Sequence, residues 1–150
     1  MGPFIDSMGA PAHGFRSAFP ALLVFALLPH TAFAGPFGRD VESRWDEGSR
    51  AEARGDFAAA RRAYEIALQA STKIPLDGRT AKQLAILKDC AAFGSRARIA
   101  GARAGEGVLP AGKPPEPAAV RRAVDRATEA FRRAVTEEEK ARPDLANACP

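Results

Sequence analysis

The chain has 150 residues, with 22 Lys and Arg against 18 Asp and Glu, a formal net charge of +4, and two cysteines. A length of this order fits one domain. So small and dispersed a positive surplus argues against a nucleic-acid partner, while supporting solubility and weak attraction to anionic envelope polymers.

The first segment is read as a leader. Arg16 precedes the apolar run Ser17–Leu28, which Pro29 and His30 close before Ala32-Phe33-Ala34. A cationic residue, a short greasy stretch and an A-x-A ending are the pattern of a secretory signal peptide, here 1–34 with cleavage after Ala34. The run is shorter than the roughly 20 apolar residues a membrane span needs, so removal is expected rather than retention as an anchor. Both histidines (His13, His30) and both methionines (Met1, Met8) lie in this segment. The exported chain would then lack a Ser-His or Cys-His pair, His-ligated zinc and His/Met-ligated haem. No cofactor, no metal and no catalysis are expected.

Residues 35–39 read as a flexible lead-in to a helical domain over 40–141. Asp40 is the expected N-cap of a first helix to about Ala53, which carries Val41, Trp45 and Gly48 on one side. Gly55 can take the left-handed conformation that ends this helix, and Asp56 can cap the next. The second helix, to about Ser71, has two apolar stripes: Phe57, Ala60, Tyr64, Ala67 and Leu68, and Ala59, Ala63, Ile66 and Ala70. Two apolar faces anticipate neighbours on both sides.

After a turn at Pro75, Thr80 with Gln83 forms a capping-box pattern that opens a third helix to about Ala104. Its stripe is Ile86, Cys90, Phe93, Ala97 and Ala100. Residues 104–116 form a Gly/Pro-rich loop, and Pro117 suits the first turn of a fourth helix to about Ala141. Val120, Val124, Ala127, Phe131, Ala134 and Val135 should be its buried stripe, with Arg122, Arg126, Glu129 and Arg133 as an outward ridge. The tail 142–150 is expected to be irregular, with Pro143 as a stop.

Cys90 and Cys149 allow a single intramolecular pairing, which an oxidising compartment would favour; the alternative is a buried free Cys90 and a loose Cys149. The fold class expected is all-α, with two antiparallel helical hairpins stacked on one another.

Ala60-x-x-x-Tyr64-x-x-Ala67-Leu68 returns as Ala127-x-x-x-Phe131-x-x-Ala134-Val135, and Gly48 in the first helix is answered by Gly94 in the third. With the Gly55-Asp56 corner, the stretch Val41–Leu68 resembles one tetratricopeptide (TPR) repeat, a helix–turn–helix unit of about 34 residues, and the later half resembles a degenerate second one. Arg44 and Glu47 stand where the family has tryptophan and leucine, and Trp45 comes one step late.

The resemblance implies a groove lined by the first helix of each unit. Its candidate partner-binding residues are Glu42, Trp45, Ser49 and Glu52 from the first unit, with Lys88, Ala91, Ser95 and Arg98 from the second. The helical spacing of Trp45 with Val41 and Gly48 favours instead a place in the core beside them. The implied function is a small, exported, non-catalytic module of the bacterial envelope, periplasmic or secreted, that binds another protein or peptide. The alternative is a structural subunit built on a four-helix bundle and completed by self-association, because two repeats alone fall short of the three or so that stand unaided.

Overall fold

The computed structural model describes residues 35–109 and 114–150, and the leader read from 1–34 lies outside them. Helices α1 (Arg39–Ala53), α2 (Phe57–Ser71), α3 (Ala81–Glu106) and α4 (Pro117–Ala141) pack in chain order, each antiparallel to the one before, and a short α5 (Pro143–Ala146) ends the chain. No strand occurs among the described residues. The fold is all-α, a stack of antiparallel helices.

Local chemistry sets most helix boundaries. Gly55 has φ +78°, a conformation costly for any residue with a Cβ, and it turns the chain from α1 into α2. The Asp56 carboxylate then accepts the Ala59 N–H at 3.0 Å, satisfying one of the donors left free at the start of α2. Thr80 and Gln83 close a reciprocal capping box on α3 at 3.2 and 2.8 Å. Pro117 occupies the first turn of α4, where its missing N–H costs nothing.

The start of α1 differs from expectation. Gly38, not Asp40, is the N-cap, and its side-chain-free backbone at φ +86° offers no capping oxygen. The Glu42 carboxylate instead reaches back to accept the N–H groups of Gly35 at 2.6 Å and Phe37 at 3.1 Å, pinning the lead-in to the helix.

Three apolar clusters fill the spaces between the helices. Val41, Ala67, Ile74, Leu87 and Ala91 form one end, Ala51, Ala60, Tyr64, Ile99 and Ala102 the middle, and Phe57, Ala123 and Ala127 the other end. Trp45 packs against the first two and links them. The core is rich in alanine and glycine, so the helices approach closely. A Cβ at Gly48 would land within the Tyr64 ring, and one at Gly105 within the Phe57 ring.

Two apolar stripes are less covered than their spacing suggests. Ile66, in the second stripe of α2, is 44% exposed, although Ala63 of the same stripe is buried. Of the α4 stripe only Ala127 is buried, while Val120, Val124, Phe131, Ala134 and Val135 are half-buried; Ala123, outside that stripe, is buried as well. That is the condition of the outermost helix of a stack. The repeated motif is not matched contact for contact: the glycine beside Phe131 is Gly101, and Gly94 receives the Trp45 ring.

The tail is more ordered than the sequence suggests. Cys90 and Cys149 form a disulfide, with Sγ atoms 2.06 Å apart, across a sequence separation of 59. Pro143 begins α5 instead of merely stopping α4; Leu145 is buried, and Arg142 binds Asp144 at 2.9 Å and Asp89 at 3.2 Å. These contacts tie the C-terminus to the first half of α3.

Candidate functional site

Four α1 residues lie one helical turn or nearly so apart: Trp45, Gly48, Ser49 and Glu52. They face α3 and, because α4 also approaches α1, one side of α4. Tyr64 of α2 comes through from behind, since Gly48 leaves room for its ring. Its hydroxyl stands 3.4 Å from Ser49 Oγ.

Trp45 is held on several sides. The Phe37 ring meets it edge-on with centroids 5.1 Å apart, and the Trp45 indole Nε1 donates to Ser95 Oγ at 3.0 Å. Ser95 is fully buried and its hydroxyl donates a hydrogen bond to the Ala91 carbonyl at 2.8 Å. Over the indole lies the Arg98 guanidinium, its carbon 4.1 Å from the ring centroid and 5.6 Å from the centroid of Phe131. Arg98 Nη1 donates to the Gly94 carbonyl at 3.1 Å, one turn back on α3. A delocalised, weakly hydrated cation stacks on an aromatic face far better than an ammonium would.

Beside this stack opens a cleft of about 180 Å³ lined by Ser49, Glu52, Tyr64, Arg98, Gly101, Thr128 and Phe131. Its electrostatics are set by partial burial. Burial raises the Glu52 pKa, against the lowering effects of the Tyr64 hydroxyl and the Arg98 charge. Burial pushes the Tyr64 phenol up to about 12, with the Ser49 hydrogen bond opposing and the Glu52 charge adding to it. Burial also lowers the Arg98 pKa, which Tyr64 and Glu52 partly offset. Tyr64 is therefore a neutral donor at ordinary pH, next to one cation and one carboxylate. Such a site is equipped to hold a polar ligand by charge and hydroxyl contacts against a phenyl wall.

Five of the residues expected to line a groove gather here: Ser49, Glu52 and Arg98 line the cleft, while Trp45 and Ser95 form the support under Arg98. Ala91 is buried and serves through its carbonyl. The other two are elsewhere. Glu42 is engaged with the lead-in backbone, and Lys88 stands ten residues before Arg98 on α3, about 15 Å along the axis.

Tyr64, Gly101, Thr128 and Phe131 were not anticipated as lining residues. The expectation drew the groove from first helices alone, whereas α4 and the tip of an α2 side chain complete it. One signal was available: a buried tyrosine hydroxyl normally has a partner, and Tyr64 is the only tyrosine in the chain.

No protein-family model matches the chain, and no curated protein or solved structure matches it either. Among the described residues, no three His, Cys, Asp or Glu side chains are grouped so as to hold a metal ion, and no helix is long and apolar enough to cross a membrane.

Proposed function

We propose that this chain is an exported, TPR-like protein–protein interaction module of the bacterial envelope, non-catalytic, acting in the periplasm or outside the cell after loss of 1–34. The observation that carries the reading is the convergence of Ser49, Glu52 and Arg98 on one cleft, above a rigid base made by Trp45 and Ser95. An aromatic-backed arginine lining a cleft is the type of anchor that dominates binding energy at interfaces. The Cys90–Cys149 disulfide supports an oxidising compartment, where such bonds persist.

Site-specific photocrosslinking in the intact envelope tests this. A photoreactive residue at Thr128, on the cleft, should trap a discrete partner. The same residue at Lys73, in the exposed turn after α2, should not. Equal labelling at both places, or none at Thr128, would remove the proposal.

A second reading has its own support. Ile66 and Leu76 are 44% and 53% exposed, surface that a second copy of the chain could cover in a self-associating subunit. Light scattering that gave a monomer at high concentration would reject it.

A further inference from the structure

Glu42 is half-buried in the first turn of α1, yet none of the ion pairs among the described residues uses it. Its carboxylate faces the lead-in: Oε2 accepts the Gly35 N–H at 2.6 Å and Oε1 the Phe37 N–H at 3.1 Å. The Gly35 carbonyl in turn accepts the Gly38 N–H at 3.1 Å, which closes the lead-in onto the start of the helix. A Cβ at Gly35 would land on the Glu42 carboxylate, so the contact has room only for a residue without a side chain. Phe37, held in this loop, packs edge-on against Trp45 at one end of the core.

Gly35 is also the residue that follows the expected cut after Ala34. Hydrolysis of the Ala34–Gly35 bond by a leader peptidase gives the hydroxyl of water to the Ala34 carbonyl carbon and its proton to the Gly35 nitrogen. That nitrogen takes up a further proton from solvent, since an α-amino group titrates at about 8. A neutral amide N–H thus becomes an ammonium, at the atom that already lies 2.6 Å from a carboxylate oxygen. Charge-assisted hydrogen bonds are roughly twice as strong as neutral ones, and partial burial limits their screening by salt. A cation beside a helix N-terminus is unfavourable by itself, and Glu42 supplies an offsetting anion.

We infer that leader removal completes a clamp: the α-ammonium created at Gly35 forms an ion pair with the Glu42 carboxylate, so that processing stabilises the fold of the exported chain. Before the cut, only the amide hydrogen bond is present at this place. The inference rests on the reading of 1–34 as a leader cut after Ala34, and it is independent of any partner at the cleft.

The test uses the chain as recovered after export from the cells that express it, whose mass shows whether it begins at Gly35. Cyanate carbamoylates α-amines ahead of lysines. It turns the ammonium into a neutral N–H that keeps one donor, as the uncut peptide bond does. The reaction is run on the chain unfolded in guanidinium with its disulfide intact, which is then refolded, and peptide mass mapping confirms a single addition at the N-terminus. Carbamoylation should lower the melting temperature of the parent by about 2–6 °C, the shift expected in a domain of this size for one lost charge-assisted contact. In Glu42→Gln the same modification should move melting by less than about 1 °C. Gly35→Ala, whose methyl would push the carboxylate aside, should be as insensitive, and it assigns the effect to Glu42 even if Glu42→Gln fails to fold.

The inference is overturned by unchanged melting of the carbamoylated parent, or by an equal loss in parent and variants. A chain that begins at Gly35 but shows either result would leave the leader reading standing and defeat the clamp alone. A chain that begins elsewhere would defeat the leader reading and the clamp together. A loss confined to the parent upholds the clamp, whatever photocrosslinking at Thr128 shows.

Discussion

The Arg98 guanidinium lies 4.1 Å from the centre of the Trp45 ring, so the only tryptophan of the chain is the platform for the cation of the cleft beside Ser49 and Glu52. A buried serine on α3 accepts a hydrogen bond from the same ring's indole N–H. One side chain of α1 thus both fastens α1 to α3 and orients Arg98. Packing and site geometry cannot be separated at this position.

Trp45→Ala should therefore cost stability as well as site order. It removes the Phe37 and Arg98 contacts and leaves the buried Ser95 hydroxyl without its donor. We expect a loss of about 2–4 kcal/mol, toward the low side of the range for large-to-small aromatic changes because the ring is only half-buried. Ser95→Ala should lose about 1 kcal/mol. Urea unfolding followed by circular dichroism measures both, and a Trp45→Ala variant as stable as the parent would mean the ring is not structural.

Glycines in helices divide by what they face. At Gly48 an added methyl would overlap the Tyr64 ring, so Gly48→Ala should destabilise by about 1–3 kcal/mol despite alanine's better helix propensity. At Gly94 the same methyl would come 3.1 Å from the edge of Trp45 and 3.2 Å from Arg98 Nη1, and the arginine end can move. Gly94→Ala should come out near neutral, with the propensity gain offsetting the crowding. Thermal melts of the two variants side by side check the order, and the reverse ranking would contradict the α1–α2 approach described here.

The disulfide closes a long loop between mid-α3 and the tail. On chain-entropy grounds, Cys149→Ser should destabilise by about 4 kcal/mol or less. Amide exchange should increase first in α5 and at Leu145, which the bond holds against α3 near Phe93. Hydrogen exchange with and without reductant measures this, and unchanged protection at Leu145 would show that Arg142 and its carboxylate partners suffice.

Tyr64 gives a pH dependence with a defined direction. Burial first, and the Glu52 charge after it, push its phenol up to about 12 from an ordinary value of 10.0. The folded chain thus favours the neutral form. That contribution is fully present below the ordinary value and is lost as pH rises through about 12, amounting to roughly 2–3 kcal/mol across the window. As Tyr64 is the only tyrosine, tyrosinate absorbance follows it directly. Denaturation curves of the parent and Tyr64→Phe should diverge between about pH 10 and pH 12, and a midpoint at the ordinary value would mean the hydroxyl is solvated.

The sequence by itself determined the helices and their order. The Asp56 cap, the Thr80–Gln83 box and the Pro117 start each act over three or four residues, so they are legible without knowing the fold. Two cysteines left one internal pairing to consider, and that is the bond observed. The tertiary structure alone decided that α4 approaches α1 over α3, bringing Thr128 and Phe131 to Ser49 and Glu52. It also decided that Glu42 turns back to the lead-in, and that Arg98 rests on Trp45 in the cleft that Glu52 also lines. Such choices depend on close packing between helices far apart in the chain. Helical periodicity says which residues share a face, and only the neighbouring helix determines what that face meets.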